Sequence, residues 1–209
     1  MVTLAINTAS RNTQIALIED IKVLKEKEWT SANDESEKLM PEIDKLLKSE
    51  KLTYTDLDRV VVVKGPGSFT GLRVGVSVAN MISYVQKIPV YGVDTFHFIR
   101  AKNADKDIEV IVLLAGRSEI YVQFEDKGRP MIHKTEAAVK LLKEKGIKKV
   151  SGELLSDQKK LFKEIKFIEP KKTFGQAIIS IDEKDLGKQD IIEPVYIKGP
   201  GISSPKPIK

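Results

Sequence analysis

The order of strand and helix patterns occurs twice along this chain, and this repetition restricts the possible folds more than any single motif does. Alternating or β-branched apolar runs indicate strands, and apolar residues spaced three or four apart indicate helices. Each half of the chain reads as three strands, a helix, a strand, a helix, a strand and a final helix. The two halves share no repeat of residues, so only the order of elements is repeated.

Three consecutive strands followed by two strand–helix units predict a mixed five-stranded sheet with helices on both faces. Two such sheets predict a two-lobed α/β fold with a cleft between the lobes. We expect lobes at residues 1–100 and 101–197, followed by a basic flexible tail at 198–209. A chain of 209 residues is long enough to bury the core that this fold needs.

The composition excludes several kinds of chemistry. The chain has no cysteine, which excludes disulfides, thiolate metal sites and cysteine nucleophiles. Its two histidines, His97 and His133, are too few for a multi-histidine metal site, and we expect no metal site in this chain. The 35 basic and 30 acidic residues are typical of a mixed, solubilising surface.

The sequence also gives an expectation for location. No apolar run approaches the roughly 20 residues that a membrane helix needs. The first residues carry no basic region or cleavage site of a signal peptide. We therefore expect a cytoplasmic protein that does not bind a membrane.

Residues 65–75, which follow a run of four valines, read Gly-Pro-Gly-Ser-Phe-Thr-Gly-Leu-Arg-Val-Gly. This pattern indicates the end of a strand, a rigid turn and the start of a helix. The first N–H groups of a helix are unpaired and can hold an anion. The segment matches neither a Walker A loop nor the G-x-G-x-x-G fingerprint. The residues alone leave a tight connection and a phosphate cradle both open.

The helix predicted at residues 69–87 is apolar nearly all the way round. Gly71, Gly75 and Ala79 form a stripe of small residues along it, and apolar side chains cover other sides. Such a helix has to be buried on more than one side. One side would face its own sheet, while the other would meet either the helix predicted at residues 35–50 or a second protein.

The segment at residues 65–75 resembles the signature of the bacterial TsaB family, also called YeaZ. Further segments resemble that family in the same order along the chain: residues 4–18, 36–43, 57–58, 89–93, 117–121 and 193–197. This resemblance implies a duplicated ribonuclease-H-like fold of the actin, hexokinase and Hsp70 type, called the ASKHA fold. That fold agrees with the repeated order of elements.

The resemblance implies a partner rather than a catalyst. The family binds and activates the TsaD subunit, which transfers a threonylcarbamoyl group to the adenosine at position 37 of tRNA. ATP and metal would then belong to the TsaD-like subunit, this chain would require no cofactor, and a TsaE-like ATPase would complete the assembly. The chain would form a homodimer when alone and would meet tRNA only indirectly, through the complex.

The family pairs through the helices that correspond to residues 35–50 and 69–87. The resemblance places these residues in the partner or dimer interface: Leu39, Glu42, Ile43, Leu46, Phe69, Thr70, Leu72, Arg73, Val76, Ser77 and Asn80. Arg73 could pair with Glu42 or Asp44 inside the chain, or with a carboxylate of the partner.

An alternative function is a small ATPase or phosphotransferase that works in the cleft between the lobes, as other branches of this fold do. The contacts to nucleotide or phosphate would then come from Asn7, Thr8, Ser10, Gly65, Gly67 and Ser68. Asn7 and Ala115 stand where an aspartate is usual, and Glu35 stands where the family usually has a histidine. The uncharged amide of Asn7 is a poor Mg²⁺ ligand, and the side chain of Ala115 offers no ligand. Together with the missing histidine, these departures argue against independent catalysis.

Overall fold

The computed structural model describes residues 1–32, 34–103, 108–124 and 128–198. Two mixed sheets with helices packed against them form a two-lobed α/β protein. The first lobe contains β1 (Val2–Asn7), β2 (Asn12–Glu19), β3 (Lys22–Thr30), α1 (Glu35–Ser49), β4 (Arg59–Gly65), α2 (Phe69–Gln86), β5 (Val90–Asp94) and α3 (Thr95–Lys102). The second lobe contains β6 (Val110–Leu114), β7 (Glu119–Gln123), β8 (Met131–Lys134), α4 (Thr135–Glu144), β9 (Lys149–Glu153), α5 (Ser156–Lys159) and β10 (Lys166–Ile168). The helix α6 (Phe174–Ile179) follows β10 and packs against β2 and β3 of the first sheet.

Each sheet begins with an antiparallel meander and continues in parallel strands. In the first sheet β1 pairs antiparallel with β2 and parallel with β4, and β2 pairs antiparallel with β3. The second sheet repeats this arrangement with β6 in the place of β1, in the order β10-β9-β6-β7-β8. The predicted two-lobed fold with a repeated order of elements is therefore confirmed.

The first sheet has six strands, so the predicted five-stranded sheet is wrong for this lobe and right for the second. The additional strand is β11 (Gly187–Gln189), which pairs antiparallel with β5 and gives the order β11-β5-β4-β1-β2-β3. The returning segment hydrogen-bonds backbone groups that β5 would otherwise expose at the edge of the sheet. A strand of three residues, Gly-Lys-Gln, has no alternating apolar pattern and could not be predicted from one.

Three clusters of buried apolar side chains form the core. On one face of the first sheet, α1 and α2 pack against strand residues that include Leu4 and Val62. On the other face, α3 and α6 lie between the two sheets. The helix α4 packs on the far side of the second sheet. Val63 points into the cluster between the sheets whereas Val62 points under α2, which explains why β4 is apolar at consecutive positions.

Two further features of the fold concern a helix and the predicted tail. Pro41 lies inside α1 and has no N–H to donate to the carbonyl of Glu37, but both residues are exposed on the outer side of the helix. Residues 199–209 of the predicted tail lie outside the described residues. No helix in the described ranges has the length and hydrophobicity needed to cross a membrane.

Candidate functional site

The helix α2 is positioned by its caps and by close packing against the β1–β2 turn. The Ser68 hydroxyl accepts a hydrogen bond from the N–H of Gly71 at 3.2 Å, and Lys87 ends the helix in a left-handed conformation with φ of 55°. A Cβ added at Gly71 would lie 2.2 Å from the carbonyl oxygen of Thr8, and one at Gly75 would lie 2.1 Å from its Oγ1. The stripe of small residues therefore packs against this chain itself.

Several of the predicted interface residues are buried inside the chain. These are Leu39, Ile43, Leu46, Leu72 and Val76, none of which is more than 5% exposed. They hold α1 and α2 on the first sheet and leave no side-chain surface for a partner. An apolar stripe that faces the sheet has the same helical spacing as one that faces a partner, so the spacing alone could not separate these buried side chains from surface ones.

The interface residues that reach the surface lie along one stripe of α2. We call this stripe the α2 face; it consists of Thr70, Arg73, Ser77, Met81, Tyr84 and Val85. Its second half is apolar, since Met81, Tyr84 and Val85 are 46%, 86% and 63% exposed. The list of predicted interface residues missed this half. Continuing the spacing from Arg73 and Ser77 along the helix would have identified it.

Two other predicted interface residues make contacts within the chain. Glu42 forms ion pairs with Lys27 and Lys45, and their hydrogen bonds hold the pKa of its carboxyl below the usual range. The Asn80 side chain donates to the carbonyl of Ile192 and accepts from its N–H, both at 2.9 Å. Both side chains are therefore fixed before any partner arrives.

Arg73 forms a cluster with two aromatic residues. Its guanidinium carbon lies 3.9 Å from the centre of the Phe69 ring, and its Nε donates to the Tyr196 hydroxyl at 3.3 Å. The centres of the two rings lie 5.0 Å apart. The guanidinium is therefore held on the surface by a ring face and a hydroxyl.

The predicted pairing of Arg73 with Glu42 or Asp44 is wrong. Glu42 is engaged by two lysines, as described above. Asp44 accepts a hydrogen bond from the Tyr54 hydroxyl at 2.6 Å. Burial and this hydrogen bond raise the pKa of Tyr54, so the phenol stays protonated and keeps Asp44 occupied.

A cleft of about 440 Å³ lies between the two lobes. Among the predicted phosphate contacts, Ser10, Gly67 and Ser68 line it. The cleft is also lined by Thr95, whose Oγ1 is buried without a hydrogen-bond partner among the described residues. The start of α2 thus opens into the cleft.

The other three predicted phosphate contacts do not line the cleft. Asn7 is buried at the end of β1, where its side-chain amide donates to Gln14 at 2.9 Å and accepts from the N–H of Ala9 at 3.0 Å. Thr8 is fully buried beneath α2, and Gly65 is buried at the end of β4. Asn7 and Thr8 are used to hold the start of the β1–β2 turn against the rest of the first lobe, and the phosphate contacts predicted for these three residues remain a prediction.

The acidic groups of the cleft, Glu153 and Glu169, lie among basic ones. Burial raises the pKa of Glu153, and the Lys102 charge and a hydrogen bond with Ser10 oppose that rise. Lys159 forms an ion pair with Glu169 at 2.7 Å. Within the described part of the chain, no three His, Asp or Glu side chains are grouped as ligands for a metal ion.

Comparison with known proteins assigns the family. Residues 28–186 match the model of the TsaD family, described as tRNA N6-adenosine threonylcarbamoyltransferase. The chain belongs to this family. Two curated relatives named tRNA threonylcarbamoyladenosine biosynthesis protein TsaB come from Buchnera aphidicola (Schizaphis graminum strain) and Bacillus subtilis. The first is 32% identical over 56% of this chain and 55% of its own length, and the second 31% identical over 58% and 53%.

These relatives confirm the resemblance to the TsaB family seen in the motifs. The chain spans about half the length of the curated relatives it matches. YeaZ from Pseudomonas aeruginosa superposes with a TM-score of 0.53 over 63% of this chain and 64% of that one, at 20% identity. A structure described as an uncharacterized protein with similarity to peptidase YEAZ from Pseudomonas aeruginosa gives 0.70 over 94% and 99%, at 15% identity. An activator of 2-hydroxyisocaproyl-CoA dehydratase from Clostridium difficile, with bound ADPNP, gives 0.52 over 86% and 92%, at 10% identity. These likenesses concern the fold, which is of the predicted ASKHA type.

Proposed function

We propose that this chain is a non-catalytic partner of a TsaD-type subunit in the biosynthesis of threonylcarbamoyladenosine at position 37 of tRNA. It binds that subunit through the α2 face and the neighbouring surface of α1, and docking stabilises the active form of the subunit. The observation that carries the proposal is the α2 face, an exposed stripe with an apolar second half on a helix whose opposite side is buried. The family model and the names of the relatives support the choice of reaction.

The α2 face has the composition of a protein–protein interface. Such interfaces are enriched in Met, Tyr and Arg and depleted in Lys and Glu. Arg73 is the one charged residue among the 18 residues of α2. Single exposed apolar side chains are ordinary, but three within the last two turns of one helix form a contiguous patch. Covering the patch removes apolar surface from water, which favours association.

Two positions support a non-catalytic role for the chain. Asn7 is an uncharged amide whose hydrogen bonds go to Gln14 and the backbone of Ala9, so it holds a turn rather than facing the cleft. At the matching turn of the second lobe, Ala115 offers only its backbone, whose N–H donates to the carbonyl of Glu119 at 3.1 Å. Neither turn carries a carboxylate that could position a Mg²⁺–nucleotide complex.

The remaining parts of the assembly follow from this role. ATP and metal are bound by the TsaD-type subunit, and this chain requires no cofactor. A TsaE-like ATPase completes the complex, tRNA is reached through the complex, and the protein works in the cytoplasm. Alone, the chain forms a homodimer through the α2 face, because an apolar stripe can cover its own copy around a two-fold axis. The TsaD-type subunit then replaces the second copy.

A second candidate function is hydrolysis or transfer of phosphate in the cleft. It is favoured by the Thr95 hydroxyl in the cleft wall, which is buried without a partner in the part of the chain that the structure describes, and by Ser68 at the start of α2. Saturable, Mg²⁺-dependent hydrolysis by the pure protein that is lost in Ser10→Ala would support this function. Turnover that persists unchanged in the variant would assign the activity to something other than the cleft.

Light scattering behind size exclusion tests the partner proposal, on this chain alone and after mixing with the TsaD-type subunit of the same organism. We expect a homodimer that converts to a 1:1 or larger complex. Tyr84→Arg places a charge within the apolar half of the α2 face. We expect it to raise the Kd of the complex by at least about 30-fold, as substitutions at interface hot spots do.

Ile21→Arg is the matched control for this variant. Ile21 lies in the β2–β3 turn and is 85% exposed, against 86% for Tyr84, so both substitutions add the same charge at equally exposed positions. The control should bind like the wild type. The proposal fails if no complex forms with or without ATP and TsaE, or if the two variants bind equally well.

A further inference from the structure

The last described residues return to the first lobe and lie along α2. This strap, residues 190–198, follows β11 and is held at two places. Asn80 of α2 makes two hydrogen bonds with the backbone of Ile192, both at 2.9 Å. Further along, the N–H of Val195 donates to the carbonyl of Lys64 at 2.7 Å. The strap is therefore fixed by its backbone, and its exposed side chains have defined positions beside the α2 face.

The strap places Tyr196 beside the first turn of α2. Tyr196 is 40% exposed, its ring packs on Phe69, and its hydroxyl accepts the hydrogen bond from Nε of Arg73. One face of the guanidinium is covered by the Phe69 ring. The two Nη groups of Arg73 have no partner among the described residues. A planar, always charged group is thus held in one orientation with its donor fork unoccupied.

We propose that Arg73, Phe69 and Tyr196 form a carboxylate-binding anchor within the α2 face, and that its occupant is an acidic side chain of the TsaD-type subunit. This inference rests on the proposed function, since it takes the α2 face as the docking surface. It extends that surface to the strap. Residues 193–197, which resemble the TsaB family, would then take part in binding.

Charge and shape favour a carboxylate as the occupant. A guanidinium presents two parallel N–H donors that match the two oxygens of a carboxylate. A nucleic-acid backbone requires several cations along one surface. Arg73 is the one charged residue of α2, and Lys198 at the end of the strap is already paired with Glu119. A single cation in a face that is otherwise uncharged therefore suits one acidic residue in a partner surface that is otherwise uncharged.

Because the cluster is already formed in the free chain, Arg73 loses little side-chain entropy when it binds a partner. An exposed arginine normally loses rotamer freedom when it is fixed by a partner. Here the ring of Phe69 and the hydroxyl of Tyr196 hold Arg73 before binding. Arg and Tyr are also the residue types that dominate interface hot spots. The anchor and the apolar patch around Tyr84 then lie at the two ends of the same helix face.

The test measures the Kd of the complex with the TsaD-type subunit at 50 and 300 mM salt. We expect Arg73→Gln to raise Kd about 30-fold and to remove most of its salt dependence. Tyr196→Phe keeps the ring but frees Nε, and we expect a rise of about 5-fold. The double variant should bind like Arg73→Gln alone, because Tyr196 acts through Arg73. Arg73→Lys keeps the charge without the fork and should fall between wild type and Arg73→Gln.

Other outcomes separate this inference from the proposed function. If Tyr84→Arg abolishes the complex while Arg73→Gln and Tyr196→Phe bind like wild type, the anchor is refuted and the docking face stands. If Arg73→Gln weakens only the homodimer, the occupant belongs to a second copy of this chain. If the substitution weakens only tRNA binding, the occupant is a phosphate. Either result overturns the proposal. Unchanged thermal unfolding of the variants shows that the fold is intact.

Discussion

At the scale of single residues, the close approach of α2 to Thr8 decides which side chains the helix can carry. Gly71 and Gly75 face the Thr8 backbone and hydroxyl, and Ala79, the third small residue, is fully buried. A stripe of small residues often allows two helices of different proteins to meet closely. Here the same stripe brings the helix onto the β1–β2 turn, so these positions act on stability, and the proposed docking face lies on the opposite side of the helix.

We expect Gly71→Ala to lower the free energy of unfolding by about 2 kcal/mol. The new Cβ would lie 2.2 Å from the carbonyl oxygen of Thr8, so the helix or the turn has to move. Overpacking of this kind costs about 1–3 kcal/mol, more than the gain in helix propensity, which is at most about 1 kcal/mol. Urea unfolding measures the difference, with Ser77→Ala on the exposed side as the control. Equal stabilities would show that α2 can move away from the turn at no cost.

At the scale of elements, the sequence identified the helices better than it identified their faces. The helix α2 was predicted to be buried on more than one side, and its buried residues confirm this. The helical spacing of apolar residues predicts which side chains avoid water. It does not distinguish Leu72, which faces the core, from Val85, which is 63% exposed. The strand β11 pairs through its backbone and leaves no pattern in its side chains. The contact of Arg73 with Tyr196 spans 123 residues and has no local signal.

The helix α1 offers a test of how much its internal proline costs. Pro41 is exposed and lies in the second turn of the helix, where its missing N–H leaves the carbonyl of Glu37 without a helical partner. We expect Pro41→Ala to raise the free energy of unfolding by about 1 kcal/mol. The alanine N–H restores the hydrogen bond to the carbonyl of Glu37, and alanine has the highest helix propensity of all residues. Lys45→Ala on the same helix should change it by no more than about 0.5 kcal/mol. A lower stability of Pro41→Ala would mean that the restriction which proline imposes on the unfolded chain outweighs the lost bond.

At the scale of the whole molecule, the two lobes face each other across a cleft with a partly buried carboxyl group. Glu153 at the end of β9 interacts with Ser10 of the first lobe and with the charge of Lys102 in α3. Burial raises its pKa more than these two groups lower it. Its neighbours Glu28 and Lys159 have opposite effects on that pKa. A carboxyl whose pKa is raised by folding makes the free energy of unfolding depend on pH.

We expect Glu153→Gln to be more stable than the wild type at pH 8 and to lose this advantage at pH 3.5. A carboxyl whose pKa is raised by folding binds its proton more tightly in the folded state. Its stabilising contribution is therefore complete below the unfolded pKa of about 4.3 and is lost as the pH rises through the folded pKa. Glutamine is neutral at every pH and keeps that contribution. Urea unfolding of both proteins from pH 3.5 to pH 8 measures the difference.

Glu169→Gln at the rim of the cleft provides the control for this prediction. Glu169 is exposed and pairs with Lys159 at 2.7 Å, so its substitution should leave stability almost unchanged at pH 8, as expected for a surface ion pair. If Glu153→Gln proves less stable than the wild type at pH 8, the contacts with Ser10 and Lys102 outweigh the cost of burial. The cleft would then require a negative charge to hold the lobes together, and an anionic ligand would have to compete with it.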